Sequence, residues 1–327
     1  MYKLKCSLIT KTLLMSSGLL FANAAMSTVV SSIHPIGFIT EAIADGVVEH
    51  KVLASSSSSP HDYAMKPSDI KLLNEAELVI WVNEDLEAFL IKPMENKDVS
   101  KQLKLSEIEQ INALISREDK DTAYAHNEHE HEHEHEHEHE HEHEHEDHSN
   151  EEIAHDHYTD WHIWMSPEIS SIAAEQIAAE LVKIYPEKRE KIEGNLNEFK
   201  TNMDKTITQI SSKLNDVKEK PYYVFHDAYG YYEDKFGLHR EGEFTINPTI
   251  MPGVQQLSEI KSKLKAENIV CIFKEPQFSP NVINAVIQDT KVKVGSLDPV
   301  GGDIELSKRS YFEFLNSLAD NYISCLK

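Results

Sequence analysis

Short apolar runs alternating with helical patterns, on both sides of one long polar stretch, set the tightest limit on what this chain can fold into. Val29 to Ile33 reads as a strand and Pro35 to Asp45 as its helix; Lys51 to Ala54 reads as a second strand. Pro67 opens a helix with Asp69 in its first turn, Leu78 to Val82 is a third strand, and Leu86 to Met94 another helix. The last hundred or so residues repeat the rhythm: strands at Tyr222–Phe225, Ile269–Lys274 and Val292–Gly295, with helices at Tyr229–Phe236, Gly253–Ala266, Pro280–Asp289 and Tyr311–Leu326. Such alternation is the signature of parallel sheets with helical crossovers. Between the halves, Pro186 to Lys220 is rich in Lys, Glu, Asn and Leu, and as one helix it would reach roughly 50 Å at 1.5 Å per residue. The expected fold class is therefore α/β, with two lobes, each carrying a mostly parallel sheet, joined by a long rigid helix and enclosing a cleft. The boundaries expected are a leader at 1–24, an N-terminal lobe at 25–185, the linking helix at 186–220 and a C-terminal lobe at 221–327.

The first lobe is interrupted at 118–160 by a segment that no packed element can absorb. Thirteen of the nineteen histidines lie between His126 and His157, most in an unbroken His-Glu alternation from Glu128 to Glu146. The segment holds eighteen acids and one lysine, offers nothing apolar to bury, and is expected to be a disordered loop. Imidazole and carboxylate are also the zinc-preferring part of the ligand set, so the tract reads as a reversible metal binder as well as a solvated charge run. A long surface insertion adds only slowly to loop-closure entropy, so it need not disturb the fold.

The first two dozen residues read as an export signal: Lys3, Lys5 and Lys11, an apolar Leu13 to Phe21, and a small-residue cleavage site at Ala22-Asn23-Ala24. No later stretch approaches the ~20 apolar residues of a membrane span, which implies a soluble product. Losing the three leader lysines takes the formal charge from −24 to −27, and no basic face is evident for nucleic acid. Two cysteines remain, Cys271 and Cys325, in a compartment that permits either a bridge or two separate thiols.

Six histidines stand outside the tract: His34, His50, His61, His162, His226 and His239. Each of His61, His162 and His226 follows or sits within a short strand and leads into a helix, the position where open α/β sheets bind ligands. Singly each could be a hydrogen-bonded structural histidine; together they form a three-imidazole set that suits zinc with a fourth position left to water or a carboxylate. Asp227 beside His226, and Asp62 and Tyr63 beside His61, are the neighbours expected to orient the rings. His34, His50 and His239 lack comparable companions in sequence and read as surface or structural residues.

Pro60-His61-Asp62-Tyr63 with Pro67-Ser68-Asp69, then His162-Ile163-Trp164-Met165-Ser166-Pro167, then Phe225-His226-Asp227-Ala228-Tyr229-Gly230-Tyr231 resemble the signature blocks of the ZnuA family. That family comprises the periplasmic zinc-binding components of bacterial high-affinity zinc ABC importers, within the cluster A-I metal receptors whose lobes are joined by a rigid helix. Glu275-Pro276-Gln277-Phe278 and Leu297-Asp298-Pro299 agree with it, and Cys271 and Cys325 stand at the places of the family disulfide. The resemblance spans nearly the whole mature chain and includes the His-rich insertion. It implies that His61, His162 and His226 bind Zn²⁺, that the metal site lies in the cleft, and that release needs only modest lobe or loop movement. One departure stands out: some members carry a glutamate before the first histidine as fourth ligand, and here that residue is Pro60. The fourth position then falls to water, to Asp298, or to a tract residue. Manganese-type relatives replace one histidine by carboxylates, so a third histidine favours zinc. Ser55 to Ser59 replaces the usual glycine- and alanine-containing approach to His61.

The function implied is a periplasmic zinc receptor of a Gram-negative bacterium that hands Zn²⁺ to the membrane permease of an ABC transporter. It is expected to act as a monomer, with no catalytic activity and no nucleic-acid partner. The tract would serve as a low-affinity scavenger or a sensor, and as a contact for other periplasmic zinc carriers. Rival readings are a receptor for another divalent metal such as manganese, a zinc hydrolase, or a surface adhesin or metal buffer. The hydrolase lacks an HExxH-like element.

Overall fold

The computed structural model describes residues 27–122, 159–250, 252–266, 268–288 and 290–327. The expected leader and most of the His/Glu tract lie outside these residues. In the first half β1 (Thr28–Ser31), α1 (His34–Ala44), β2 (Glu49–Val52), α2 (Pro67–Glu75), β3 (Leu78–Trp81), α3 (Ile91–Glu95), β4 (Gln102–Lys104) and α4 (Glu109–Thr122) follow in order. Two helices, α5 (Pro167–Ile184) and α6 (Arg189–Leu214), lead to the second half. There the order is β5 (Tyr222–His226), α7 (Gly230–Phe236), β6 (Arg240–Thr245), α8 (Val254–Ala266), β7 (Cys271–Lys274), α9 (Asn281–Ile287), β8 (Lys293–Ser296) and α10 (Ser310–Leu326).

The two sheets have four parallel strands each and the same winding, β2-β1-β3-β4 and β6-β5-β7-β8. In both, the chain steps to one side of its first strand and then crosses to the other, which leaves a crevice at the carboxyl ends where ligands settle. The expected α/β architecture with parallel sheets is what forms. Two strands escaped the sequence reading, and both are edge strands. β4 has three residues, too few to show a period of two, and β6 is polar and contains Gly242. The expected helix at 86–94 is a 3₁₀ turn at Ala88–Leu90 followed by the short α3.

The expected thirty-five-residue helix is shorter. Tyr185 leaves helical geometry (φ −123°, ψ 65°), Pro186–Lys188 makes a 3₁₀ turn, and α6 then runs for 26 residues, roughly 39 Å. Its buried face, Ile192, Asn195, Phe199, Met203, Thr206, Ile210 and Leu214, recurs every three or four positions. That face packs on α5, α10 and α1, so α6 is a spine within the core rather than a free rod. Asn195 Nδ2 donates to the carbonyls of Ile43 and Asp45 at 2.9 Å each, which satisfies the open end of α1 and pins the spine to the first half. A Cβ added at Gly194 would meet nothing within 4 Å, so no close approach requires a glycine there.

One hydrophobic cluster runs from Phe38, Ile80 and Ile177 through Phe199 to Tyr222, Phe273 and Phe314, and so joins both halves. Smaller clusters fill the outer faces of the sheets, around Trp81 and Leu90 in the first and around Phe244 and Ile272 in the second. Cys271 opens β7 and Cys325 lies near the end of α10; they are bridged, with Cα atoms 6.0 Å apart. No helix among the described residues is long and apolar enough to cross a membrane.

Candidate metal centre

His61, His162 and His226 come from three separate elements and meet at one point. His61 lies in the loop after β2, where its backbone N–H donates to Ser59 Oγ at 3.2 Å. His226 is the last residue of β5, the strand at which the second sheet reverses order. His162 precedes a 3₁₀ turn at Ile163–Met165, and α5 follows, capped by Ser166 Oγ, which accepts from Ile169 N–H at 3.2 Å. Ser-Pro-Glu thus starts a helix as its sequence implies.

The Nε2 of His162 stands 3.2 Å from that of His61 and 3.3 Å from that of His226, and the three ligand atoms all lie within 4.8 Å of one another. Zinc with Zn–N of about 2.0–2.1 Å and tetrahedral angles needs N···N edges of about 3.4 Å, which these separations match. Behind two of the rings stands a carboxylate. His162 Nδ1 is 2.6 Å from Asp160 Oδ1, and His226 Nδ1 is 2.7 Å from Glu275 Oε1. A carboxylate can only accept, so each Nδ1 donates, and in the neutral ring the Nε2 lone pair is left to face the centre. An incoming dication would meet two negative charges through the rings.

These orienting groups are not the expected ones. Asp227 pairs with Arg240, and Tyr63 Oη donates to Asp69 Oδ2 at 2.8 Å and to the Leu53 carbonyl at 3.3 Å. The reason is geometric: neighbours along an extended chain point to opposite sides, so the residue after a ligand cannot reach back to its ring. Asp160 sits two positions before His162 and also accepts its backbone N–H at 2.9 Å, a local turn that sequence could have signalled. Glu275 lies one residue past the end of β7, beside β5, and only strand order brings it to His226. His50 has a carboxylate companion after all: Nδ1 is 2.8 Å from Glu41 Oε2 and Nε2 3.0 Å from Ser31 Oγ, a half-buried structural pair. His34 packs on Phe38, and exposed His239 meets Glu241, so neither joins the centre.

Asp298, a possible fourth ligand by sequence, is committed elsewhere. Its Oδ1 accepts from Gln277 Nε2 at 2.7 Å and from Val300 N–H at 3.0 Å, and Oδ2 accepts from Gly302 N–H at 2.6 Å. It staples the turn that carries Gly302 against the serine loop, so close that a Cβ on Gly302 would come within 2.6 Å of the Ser56 carbonyl oxygen. The turn is also tied to the His162 segment, since Trp164 Nε1 donates to the Pro299 carbonyl at 2.8 Å. Tyr231 Oη donates to the Asp160 carbonyl at 2.8 Å and Tyr311 Oη to that of Trp164 at 2.7 Å, so three bonds hold this segment to the second half.

Burial, and then the neighbouring His162 and His226, push the His61 ring down to about 2, so it is neutral throughout the physiological range. Trp164, Phe278, Pro299 and Val300 close over the centre and leave a cavity of about 10 Å³, room for about one water. Both nearby carboxylates accept from imidazole N–H groups.

The whole chain was compared with known proteins. The family described as "ZnuA: Zinc-uptake complex component A periplasmic" matches residues 29–325. The chain belongs to the ZnuA family. The high-affinity zinc uptake system protein ZnuA of Haemophilus ducreyi is 48% identical over 316 residues, covering 97% of this chain and 98% of that one. Its counterpart from Yersinia pestis is 43% identical over 323 residues, at 97% and 98% coverage. In fold, the chain superposes on the periplasmic zinc binding protein TroA from Treponema pallidum with a TM-score of 0.71, over 92% of this chain and 99% of that one, at 18% identity. The ZnuA family is one of solute receptors and not of enzymes.

Proposed function

We propose that His61, His162 and His226 bind the zinc cargo of a periplasmic receptor, which delivers it to the membrane permease of an ABC transporter. The observation that carries this is the convergence of three imidazoles, with His162 Nε2 at zinc-like separations from the Nε2 of His61 and of His226 and two of the rings aimed by carboxylates behind them. Family membership supplies the transport role: the chain is an exported zinc-binding component of an uptake system. Three nitrogen donors without a carboxylate ligand favour zinc over manganese. Water takes the fourth position, because the cavity admits it and Asp298 is held by other donors.

The reading extends to the rest of the chain. Residues 1–24 are a leader removed on export in a Gram-negative cell, 25–185 and 221–327 are the two lobes, and 186–220 is the link between them. The protein works as a monomer. The His/Glu tract collects zinc weakly beside the cleft and is where other periplasmic zinc carriers meet it; many exchanging sites raise the local concentration without selecting a geometry.

One titration tests these roles together. Zinc and manganese are added to the mature protein, to a 126–157 deletion and to His61→Ala, with stoichiometry and affinity followed in parallel. The expected result is a single tight zinc site that survives the deletion and is lost in His61→Ala, with weak extra sites lost in the deletion. Tight binding that persists without His61 and His226, or that resides wholly in 126–157, would overturn the assignment.

A further inference from the structure

Two adjacent glycines mark where the second half presses on the first. They close the turn Asp298-Pro299-Val300-Gly301-Gly302 that follows β8. A Cβ on Gly301 would come within 2.9 Å of the Phe38 ring of α1, and one on Gly302 within 2.6 Å of the Ser56 carbonyl oxygen, where 3.4 Å is ordinary contact. The obstacle at Gly302 is backbone, so no rotamer change relieves it, and the serine loop would have to retreat by roughly 0.8 Å. Asp298 fixes the turn in that place by accepting from Val300 and Gly302 N–H, and it also accepts from Gln277 Nε2. Gln277 in turn lies two residues past Glu275, which accepts from His226 Nδ1–H. On the far side of the contact, Ser58 N–H donates to the Ser55 carbonyl at 3.0 Å and closes a tight turn around Ser56, while Ser59 Oγ accepts from His61 N–H.

A path of hydrogen bonds and one backbone contact therefore runs from His226 in the second half to His61 in the first, and Gly302 is where it crosses. Carboxylates aim His162 and His226, whereas the His61 ring has no such partner among the described residues, so its place depends on the loop that carries it. We propose that Gly302, held by Asp298, is the positioning residue for His61: it sets how closely the serine loop approaches the second half, and so how well the third imidazole reaches zinc. The inference rests on the zinc-binding reading above. A ligand constellation tolerates only about 0.5 Å of displacement, less than the retreat that a Cβ would impose.

The test uses the mature protein, with zinc affinity read by chelator competition, zinc dissociation by stopped flow into excess chelator, and the ligand field by the visible bands of the Co²⁺-loaded form. Gly302→Ala is expected to weaken zinc by about tenfold or more, mainly through faster dissociation. Asp298→Asn keeps the shape but sets an amide N–H₂ against Gly302 N–H, and should act in the same direction; it keeps the test decisive if Gly302→Ala does not fold. Both variants should hold one metal per chain with the parental Co²⁺ bands, because the ligands are unchanged. In a His61→Ala background, Gly302→Ala should cause no further loss of metal affinity, a result that general loosening of the fold would not give. Gly194→Ala, where a Cβ meets nothing, should bind as the parent does. Parental affinity and dissociation in both Gly302→Ala and Asp298→Asn overturn the assignment, and so does a further loss from Gly302→Ala when His61 is already alanine. Shifted Co²⁺ bands in Asp298→Asn beside parental zinc binding in Gly302→Ala would make Asp298 a ligand and overturn it too. A parent that binds no zinc tightly overturns the zinc reading itself, which titration of the parent alone detects.

Discussion

Glu275 and Asp160 stand behind two of the three imidazoles. Each accepts from an imidazole Nδ1–H and so fixes both the tautomer and the plane of the ring whose Nε2 faces the centre. Glu275→Gln and Asp160→Asn are expected to keep one zinc per chain and weaken it about 10–100-fold, read by competition with a chromogenic chelator. Unchanged affinity in both would reduce these carboxylates to structural roles. A second prediction concerns protons. The folded ring of His61 is held to about 2, below its unfolded value of 6.5, so below 6.5 the unfolded chain binds the proton first and the metal-free fold loses stability as pH falls. Buried Glu87 and Glu233 are pushed up to about 7, mainly by burial, and work in the opposite direction: their contribution is present at low pH and is lost as pH rises from about 4.5 to 7. The His61 effect is therefore isolated by comparing His61→Leu with the parent in urea unfolding. The variant should gain roughly 1 kcal/mol relative to the parent between pH 7 and 5.5, and a flat difference would contradict the buried, neutral ring.

The elements differ in how visible they are in sequence. α5 announces itself by Ser166, Pro167 and Glu168, and β1, β3 and β5 by buried apolar runs, because capping and burial on both faces act over a few neighbouring residues. β4 and β6 stay hidden because an edge strand needs little apolar character and draws its hydrogen bonds from a neighbour distant in sequence. The bridge between β7 and α10 spans a sequence separation of 54, so in a chain-entropy account its loss costs about 4 kcal/mol. Replacing both cysteines by alanine should lower urea-unfolding stability by about that amount and leave zinc stoichiometry at one. A loss below about 1 kcal/mol would mean that α10 is held by packing alone.

At the scale of the molecule, the continuous core decides how the receptor can move. α6 and α10 carry Phe199 and Phe314 into a cluster shared with α1, α5 and the second sheet. A wide opening of the lobes would expose that surface at about 25 cal/mol per Å², so small rearrangements around the His61 loop and the Asp298 turn are favoured. In solution scattering, zinc should change the radius of gyration of the 126–157 deletion by less than about 1 Å, on an expected value of about 19 Å. A shift of several ångströms would point to a clamshell swing and contradict the shared core.

The residues alone were enough for the α/β class, the repetition of the strand-helix rhythm on either side of a helical spine, and the singling out of three isolated histidines that the fold brings together. Those features are local: a period of two or 3.6, a cap, a ligand type at the end of a strand. The tertiary structure decided which carboxylate stands behind which imidazole, that Asp298 holds a turn, and that the spine is buried in a common core. His226 and Glu275 are 49 residues apart, and only the placing of β7 beside β5 makes them neighbours. Such contacts are consequences of strand order and burial, which act on the whole chain and leave no mark in the spacing of adjacent residues.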